Sequence, residues 1–111
     1  MNTENIRTLV DRLRTLEHTP VAKTHSVRYF NMAVELFPCG SPACVSGHCR
    51  RLFYGPLNPM YKATYGSRVL EDCLGLSYDD AWDLYKAKCF KEDIDDITPQ
   101  RVADYLEERY L

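Results

Sequence analysis

Residues Pro38–Leu52, PCGSPACVSGHCRRL, organise the rest of this 111-residue chain, because they hold three of its five cysteines and two of its five glycines. Gly40 turns the chain and Ser41 is a suitable helix cap. Pro42 suits a first helical position, where its missing N–H would have no intrahelical partner. These signals predict a central helix over about residues 42–52.

The predicted central helix has two distinct faces. Side chains four residues apart lie one above the other on a helix, which places Cys44 beside His48. Gly47 leaves room for a second helix to approach closely. A neighbouring apolar stripe consists of Val45, Cys49 and Leu52. We therefore expect this stripe to be buried against the rest of the chain.

Apolar residues at helical spacing predict further helices on both sides of the central one. The first runs over about residues 2–18, and a short second helix covers about residues 27–36. Another helix begins near residue 60 and ends at Leu74, where Gly75 in the left-handed conformation would close it.

Two more helices are predicted, and each begins at a hydroxyl cap. Ser77 precedes acidic residues that favour the positive end of a helix dipole, and Thr98 precedes a proline. The buried side of the Ser77 helix is predicted to consist of Ala81, Trp82, Leu84, Tyr85 and Cys89. These elements predict an all-α fold: a single-domain, irregular bundle of five or six short helices over residues 1–111, without strands.

The composition argues against several classes of protein. With 45% hydrophobic and 27% charged residues, the chain has the make-up of an ordinary globular domain. No apolar run approaches the roughly 20 residues of a membrane helix, and charges interrupt MNTENIRTLVDRLRTL too often for a secretory signal. We expect a cytoplasmic protein whose odd number of cysteines remain thiols.

The net charge of −2 conceals an uneven distribution. Residues 1–70 carry nine Lys/Arg and four Asp/Glu, a balance of +5, whereas residues 71–111 carry five and twelve, a balance of −7. The two parts could face each other, offer different surfaces to partners, or simply be solvated. A candidate partner-binding acidic face consists of Asp79, Asp80, Asp83, Glu92, Asp93, Asp95 and Asp96.

A second candidate surface interleaves basic and aromatic residues. Phosphate attraction combined with stacking is what a nucleotide or a single-stranded nucleic acid requires. The mildly acidic net charge counts against general nucleic-acid binding. The candidate residues are Arg28, Arg50, Arg51, Tyr54, Tyr61, Lys62, Tyr65 and Arg68.

The central stretch also holds side chains that zinc accepts. Their spacing, C-x4-C-x3-H-C, differs from the two separated pairs of a common structural zinc site. Buried thiols and a half-buried histidine are the alternative. A cysteine nucleophile near a helix N-terminus is conceivable, but no catalytic or nucleotide-binding fingerprint accompanies it, so we predict no enzyme and no cofactor other than zinc. The candidate ligands are Cys39, Cys44, His48 and Cys49.

Several motifs resemble a diffuse group of small proteins of bacteriophages and bacterial mobile regions. They are FNM at residues 30–32, CGSPACVSGH at 39–48, CLGLSYDDAWDLY at 73–85 and ITPQRVADYL at 97–106. The chain departs from the group's pattern in having Ser41 for threonine, Ser46 for alanine, and the additional Cys49.

The resemblance implies an origin rather than a reaction. Small phage proteins without enzyme motifs often inhibit host machinery, including CRISPR-type defence systems, by covering a surface. We therefore expect a non-enzymatic interaction protein that binds and inhibits a host protein in the host cytoplasm. It would use either its acidic face, which could occupy a basic channel on the target, or its tyrosine and arginine surface. Nucleic-acid or nucleotide binding and a small zinc-binding domain are the alternatives.

Overall fold

The computed structural model describes residues 1–19, 29–32, 43–55 and 66–111. None of the helices in these ranges is both long and apolar enough to cross a lipid bilayer. A π-helical turn and a short 3-10 helix accompany the α-helices. The α-helices are α1 (Thr3–Leu13), α2 (Val45–Cys49), α3 (Gly66–Leu74), α4 (Tyr78–Tyr85) and α5 (Pro99–Tyr110). The predicted all-α class is confirmed.

Helices α1 and α5 pack against each other along one side of the core. Both present the apolar stripe that their periodicity predicts. At the edge of this contact, Arg14 pairs with Asp104 at 2.8 Å and with Glu107 at 2.9 Å. The basic and acidic parts of the chain therefore do face each other here. The buried residues of the two helices are Ile6, Leu9, Val10, Leu13, Pro99, Val102, Ala103 and Leu106.

Helix α1 ends at Leu13, earlier than the predicted residue 18. The Thr15 backbone N–H and hydroxyl both donate to the Arg12 carbonyl, at 3.0 and 2.7 Å. In a continuing helix that carbonyl would accept from residue 16, so the threonine competes with the next helical bond. The chain turns, and Leu16 still reaches the core.

Two short parallel strands, β1 (Glu17–His18) and β2 (Tyr29–Phe30), correct the prediction that the chain has none. They also replace the predicted helix where it crosses residues 29–30; its residues 27–28 and 33–36 lie outside the described ranges. Phe30 is fully buried and its ring stacks on His48, with centroids 6.2 Å apart. This distant contact outweighs the local preference for helix.

The central helix α2 begins at Val45, three residues later than predicted. Cys44, at the N-cap, has an extended backbone and makes no capping bond through its side chain. The cap predicted at residues 41–42 lies outside the described ranges. The helix continues as the π-helical turn Arg50–Tyr54. Val45 and Cys49 are fully buried, as predicted, and Leu52 is partly buried against the core.

The end of α3 matches the predicted glycine closure. Gly75 has a φ of +69°, and a Cβ there would come within 2.9 Å of the backbone of residues 1–2. The Asn2 backbone N–H donates to the Leu74 carbonyl at 2.8 Å. The N-terminus thus satisfies a carbonyl at the end of α3. The predicted start of this helix near residue 60 lies outside the described ranges.

Both predicted hydroxyl caps are confirmed. The Ser77 hydroxyl accepts from the Asp80 N–H at 3.2 Å, and the Thr98 hydroxyl accepts from the Arg101 N–H at 3.1 Å. Each cap satisfies a backbone donor that its helix cannot.

The predicted buried side of α4 is only partly correct. Ala81 and Leu84 are buried, whereas Trp82 and Tyr85 are half-buried. Cys89 lies beyond the end of the helix and is also half-buried. The narrow stripe of Ala81 and Leu84 is enough for α4 to pack in the core, which leaves the larger aromatic rings at its edge.

Candidate functional site

Five exposed carboxylates of residues 79–96 are together called the acidic surface. Asp79 and Asp83 lie one turn apart on α4, and the other three lie on the segment that precedes α5. None of the five makes an ion pair with another described residue. The acidic surface consists of Asp79, Asp83, Asp93, Asp95 and Asp96.

The two remaining members of the predicted acidic face are already paired within the chain. Asp80 accepts from Arg109 at 3.2 Å, and Glu92 accepts from Arg101 at 2.9 Å. The two arginines are eight residues apart, or about 12 Å along α5. Helix α5 therefore contacts both carboxylate-bearing segments, each through one ion pair.

The 3-10 helix Ile94–Asp96 makes one hydrogen bond to β1 and one within its own turn. His18 Nε2 donates to the Asp95 carbonyl at 3.0 Å, and the Asp96 N–H donates to the Asp93 carbonyl at 2.8 Å. Three carboxylates of the acidic surface are consequently presented from a backbone tied to β1. A partner binding these three carboxylates meets a turn whose backbone is already formed.

The described members of the predicted basic and aromatic set differ in exposure. Arg50 is only 3% exposed, so it is not presented to a phosphate, and Arg51 and Tyr54 are half-buried. Arg68 is exposed on α3, where it pairs with Asp72 at 3.1 Å. The members outside the described ranges are Arg28, Tyr61, Lys62 and Tyr65.

The His48 side chain connects α2 to β2 through a hydrogen bond. Its Nε2 donates to the Tyr29 carbonyl at 2.8 Å, and its side chain lies in the core. Burial lowers the pKa of His48 from 6.5 to about 4, and the nearby positive charge of Arg12 lowers it further, while the Tyr29 carbonyl opposes the shift. The imidazole is therefore neutral at pH 7.

The described cysteines of the central stretch, Cys44 and Cys49, belong to the core. Cys44 is 4% exposed and Cys49 is fully buried, and burial raises the pKa of the Cys49 thiol well above its ordinary value. A protonated, inaccessible thiol is a poor nucleophile. Among the described residues no three His, Cys, Asp or Glu side chains are grouped to hold a metal, and Cys39 lies outside them.

A groove between α3 and α4, with a volume of about 530 Å³, brings together residues that the sequence reasoning did not group. The Lys86 ammonium lies over the rings of Trp82 and Tyr85, 5.0 and 5.4 Å from their centroids. Tyr78, Trp82 and Tyr85 form one row along α4, and the sequence signal for this row is their spacing at i, i+4 and i+7. The lining includes Arg68, Glu71, Tyr78, Trp82, Tyr85 and Lys86.

Comparison with protein-family models, with curated proteins and with solved structures gives no match to this chain.

Proposed function

We propose that this chain is a non-enzymatic interaction protein that binds a basic surface of a partner protein through its acidic surface and blocks it. The observation that carries the proposal is the set of five exposed carboxylates without ion pairs among the described residues. Three of them project from the anchored turn of residues 93–96.

The charges of this region favour a partner with positive potential. Carboxylates that make no ion pair with the described residues remain available to Lys and Arg on another protein. Complementary charge of this kind raises the association rate and suppresses incorrect partners. A nucleic-acid-binding protein carries the matching basic surface, and a component of a host defence system is the target class that the sequence resemblance suggests.

The central stretch offers less for function. Its imidazole and its described thiols are buried, so they support packing rather than a reaction with a solvent-borne substrate. The chemistry exposed on the described residues is charge and aromatic surface, which is the chemistry of binding.

The test is a triple charge reversal, Asp93→Lys with Asp95→Lys and Asp96→Lys. The tagged wild-type protein first captures partners from the host lysate, and each retained protein is purified. Association of that protein is then measured at several salt concentrations. We expect the reversal to slow association at least roughly tenfold and to reduce its salt dependence.

A matched control reverses three exposed carboxylates elsewhere, with Glu4→Lys, Asp11→Lys and Glu108→Lys. It changes the net charge by the same amount but leaves the acidic surface intact. Wild-type association in the control combined with slow association in the test variant locates binding at the acidic surface. Equally slow association of the test variant and the control variant would show that the effect comes from net charge alone, which would contradict the proposal.

A further inference from the structure

We propose that the groove between α3 and α4 binds a nucleotide, with the base stacked on Trp82 and the phosphate bound by Lys86 and Arg68. This ligand site goes beyond the binding of a protein partner at the acidic surface. It also differs from the basic and aromatic set indicated by the sequence: of that set's members in the described ranges, the groove includes Arg68 alone.

The groove has the dimensions and the lining of a small-ligand site. Its volume of about 530 Å³ lies within the range of roughly 300–1,000 Å³ that such sites occupy. Tyr78, Trp82 and Tyr85 form one row on α4 beside α3. Aromatic faces of this kind stack on nucleobases with little regard to base identity.

The charges that line the groove favour an anion. Arg68 and Lys86 supply two positive charges and Glu71 one negative charge, a balance of +1. Lys86 makes no ion pair with any other described residue. Arg68 pairs with Asp72 across one exposed helical turn, an interaction weak enough to yield to a phosphate.

The position of Lys86 connects the aromatic row to the anion. Its ammonium lies over Trp82 and Tyr85, and a cation–π contact at an exposed site is weak. A base can therefore replace the ammonium on the Trp82 ring, and the flexible lysine side chain remains within reach of the attached phosphate. Glu71 would accept a hydrogen bond from a ribose hydroxyl or an exocyclic amino group.

The acidic surface does not occupy this groove. Asp79 and Asp83 each follow an aromatic residue of the row by one position, which is a rotation of about 100° around α4. Neither carboxylate lines the groove. The aromatic residues and the acidic residues therefore lie on different faces of α4, with the cations beside the aromatic face.

The chain's single tryptophan makes the groove directly measurable, because Trp82 fluorescence reports on this place alone. The protein is titrated with adenosine monophosphate (AMP), with adenosine and with inorganic phosphate at low ionic strength. We expect saturable quenching by AMP, binding of adenosine weaker by about tenfold because it lacks the charge-assisted contact, and no quenching by phosphate.

Two variants carry the same change of charge at different places. Lys86→Gln should abolish the preference for AMP over adenosine, while stacking on Trp82 persists. Lys88→Gln, at an exposed lysine outside the groove, should keep the preference. Circular dichroism verifies that both variants retain the wild-type helical content.

A short oligoadenylate identifies the source of the ligand. Tighter binding of the oligonucleotide than of AMP assigns the groove to single-stranded nucleic acid, and the reverse assigns it to a free nucleotide. A Trp82 signal that neither probe changes would overturn the proposal. So would a Lys86→Gln variant that still prefers AMP, or quenching by inorganic phosphate equal to that by AMP.

Discussion

Residues 43–55 bury most of their polar and reactive side chains, including Ser46, His48 and Arg50, whereas the carboxylates of residues 77–111 lie mainly at the surface. Both regions contain residue types that serve binding and catalysis in proteins. Whether such a side chain is available to a ligand or a partner therefore depends on packing rather than on residue type. A buried polar group must find a partner inside the molecule, as His48 does at the Tyr29 carbonyl.

The two regions also begin their helices differently. Ser77 and Thr98 cap α4 and α5 through their hydroxyls, whereas α2 begins at Cys44 without a side-chain capping bond. Tertiary burial fixes the start of α2, and local hydrogen bonds fix the starts of α4 and α5. Substitutions in the two regions should therefore have effects of different size and origin.

The largest expected effect comes from placing a charge in the central region. Val45→Asp puts a carboxylate where the side chain is fully buried, and we expect the free energy of unfolding to fall by about 4 kcal/mol or more. Denaturant unfolding followed by circular dichroism measures this loss. The control is Asp83→Asn, at an exposed position of α4, which should change the free energy of unfolding by no more than about 0.5 kcal/mol. A wild-type midpoint for Val45→Asp would show that residues 43–55 are not core.

A pH-dependent loss of stability is the next largest effect. The pKa of His48 is about 4 in the folded protein, below its ordinary 6.5, so the unfolded chain binds the proton more readily between these values. The free energy of unfolding should therefore have its full value above pH 6.5. It should decrease as the pH falls towards 4, by roughly 3 kcal/mol at most.

His48→Gln tests the origin of this pH dependence. Glutamine keeps an N–H donor near the position of Nε2 but does not titrate. Denaturant unfolding at several pH values should show a smaller slope between pH 4 and 6.5 for the variant than for the wild type. An identical slope in both proteins would assign the titration to another group.

The smallest of these effects concerns a cap in the C-terminal region. Thr98→Ala removes the hydroxyl that accepts from the Arg101 N–H and should lower the free energy of unfolding by about 1 kcal/mol. Thr98→Ser keeps the hydroxyl and should lower it much less. Thermal unfolding of the three proteins measures both changes. Equal loss in the two variants would attribute the effect to the missing methyl group instead of the cap.

The features predicted correctly from the sequence are those that neighbouring residues determine. The closure at Gly75 and the caps at Ser77 and Thr98 each involve groups within a few positions, so the sequence pattern alone identifies them. The pairing of β1 with β2 and the end of α1 at Leu13 were predicted wrongly. Their causes are a contact between distant strands and a threonine that competes for one carbonyl.

The candidate sites divide in the same way. The sequence identifies the acidic residues, because charge is a property of composition, but it does not distinguish the paired Asp80 from the exposed, unpaired Asp83. The groove was missed because Trp82 and Tyr85 have the apolar character and the spacing of core residues. Only the packing of α4 through Ala81 and Leu84 leaves those rings at the edge.

The sequence by itself determined the helical class, the local beginnings and ends of α4 and α5, and the concentration of negative charge after residue 70. These follow from periodicity, capping and charge, which act over one or two helical turns. Tertiary packing places His48 and Arg50 inside and leaves the Trp82 ring half-buried at the edge of α4. The physical reason is that burial depends on which distant segments cover a side chain, and no local pattern contains that information.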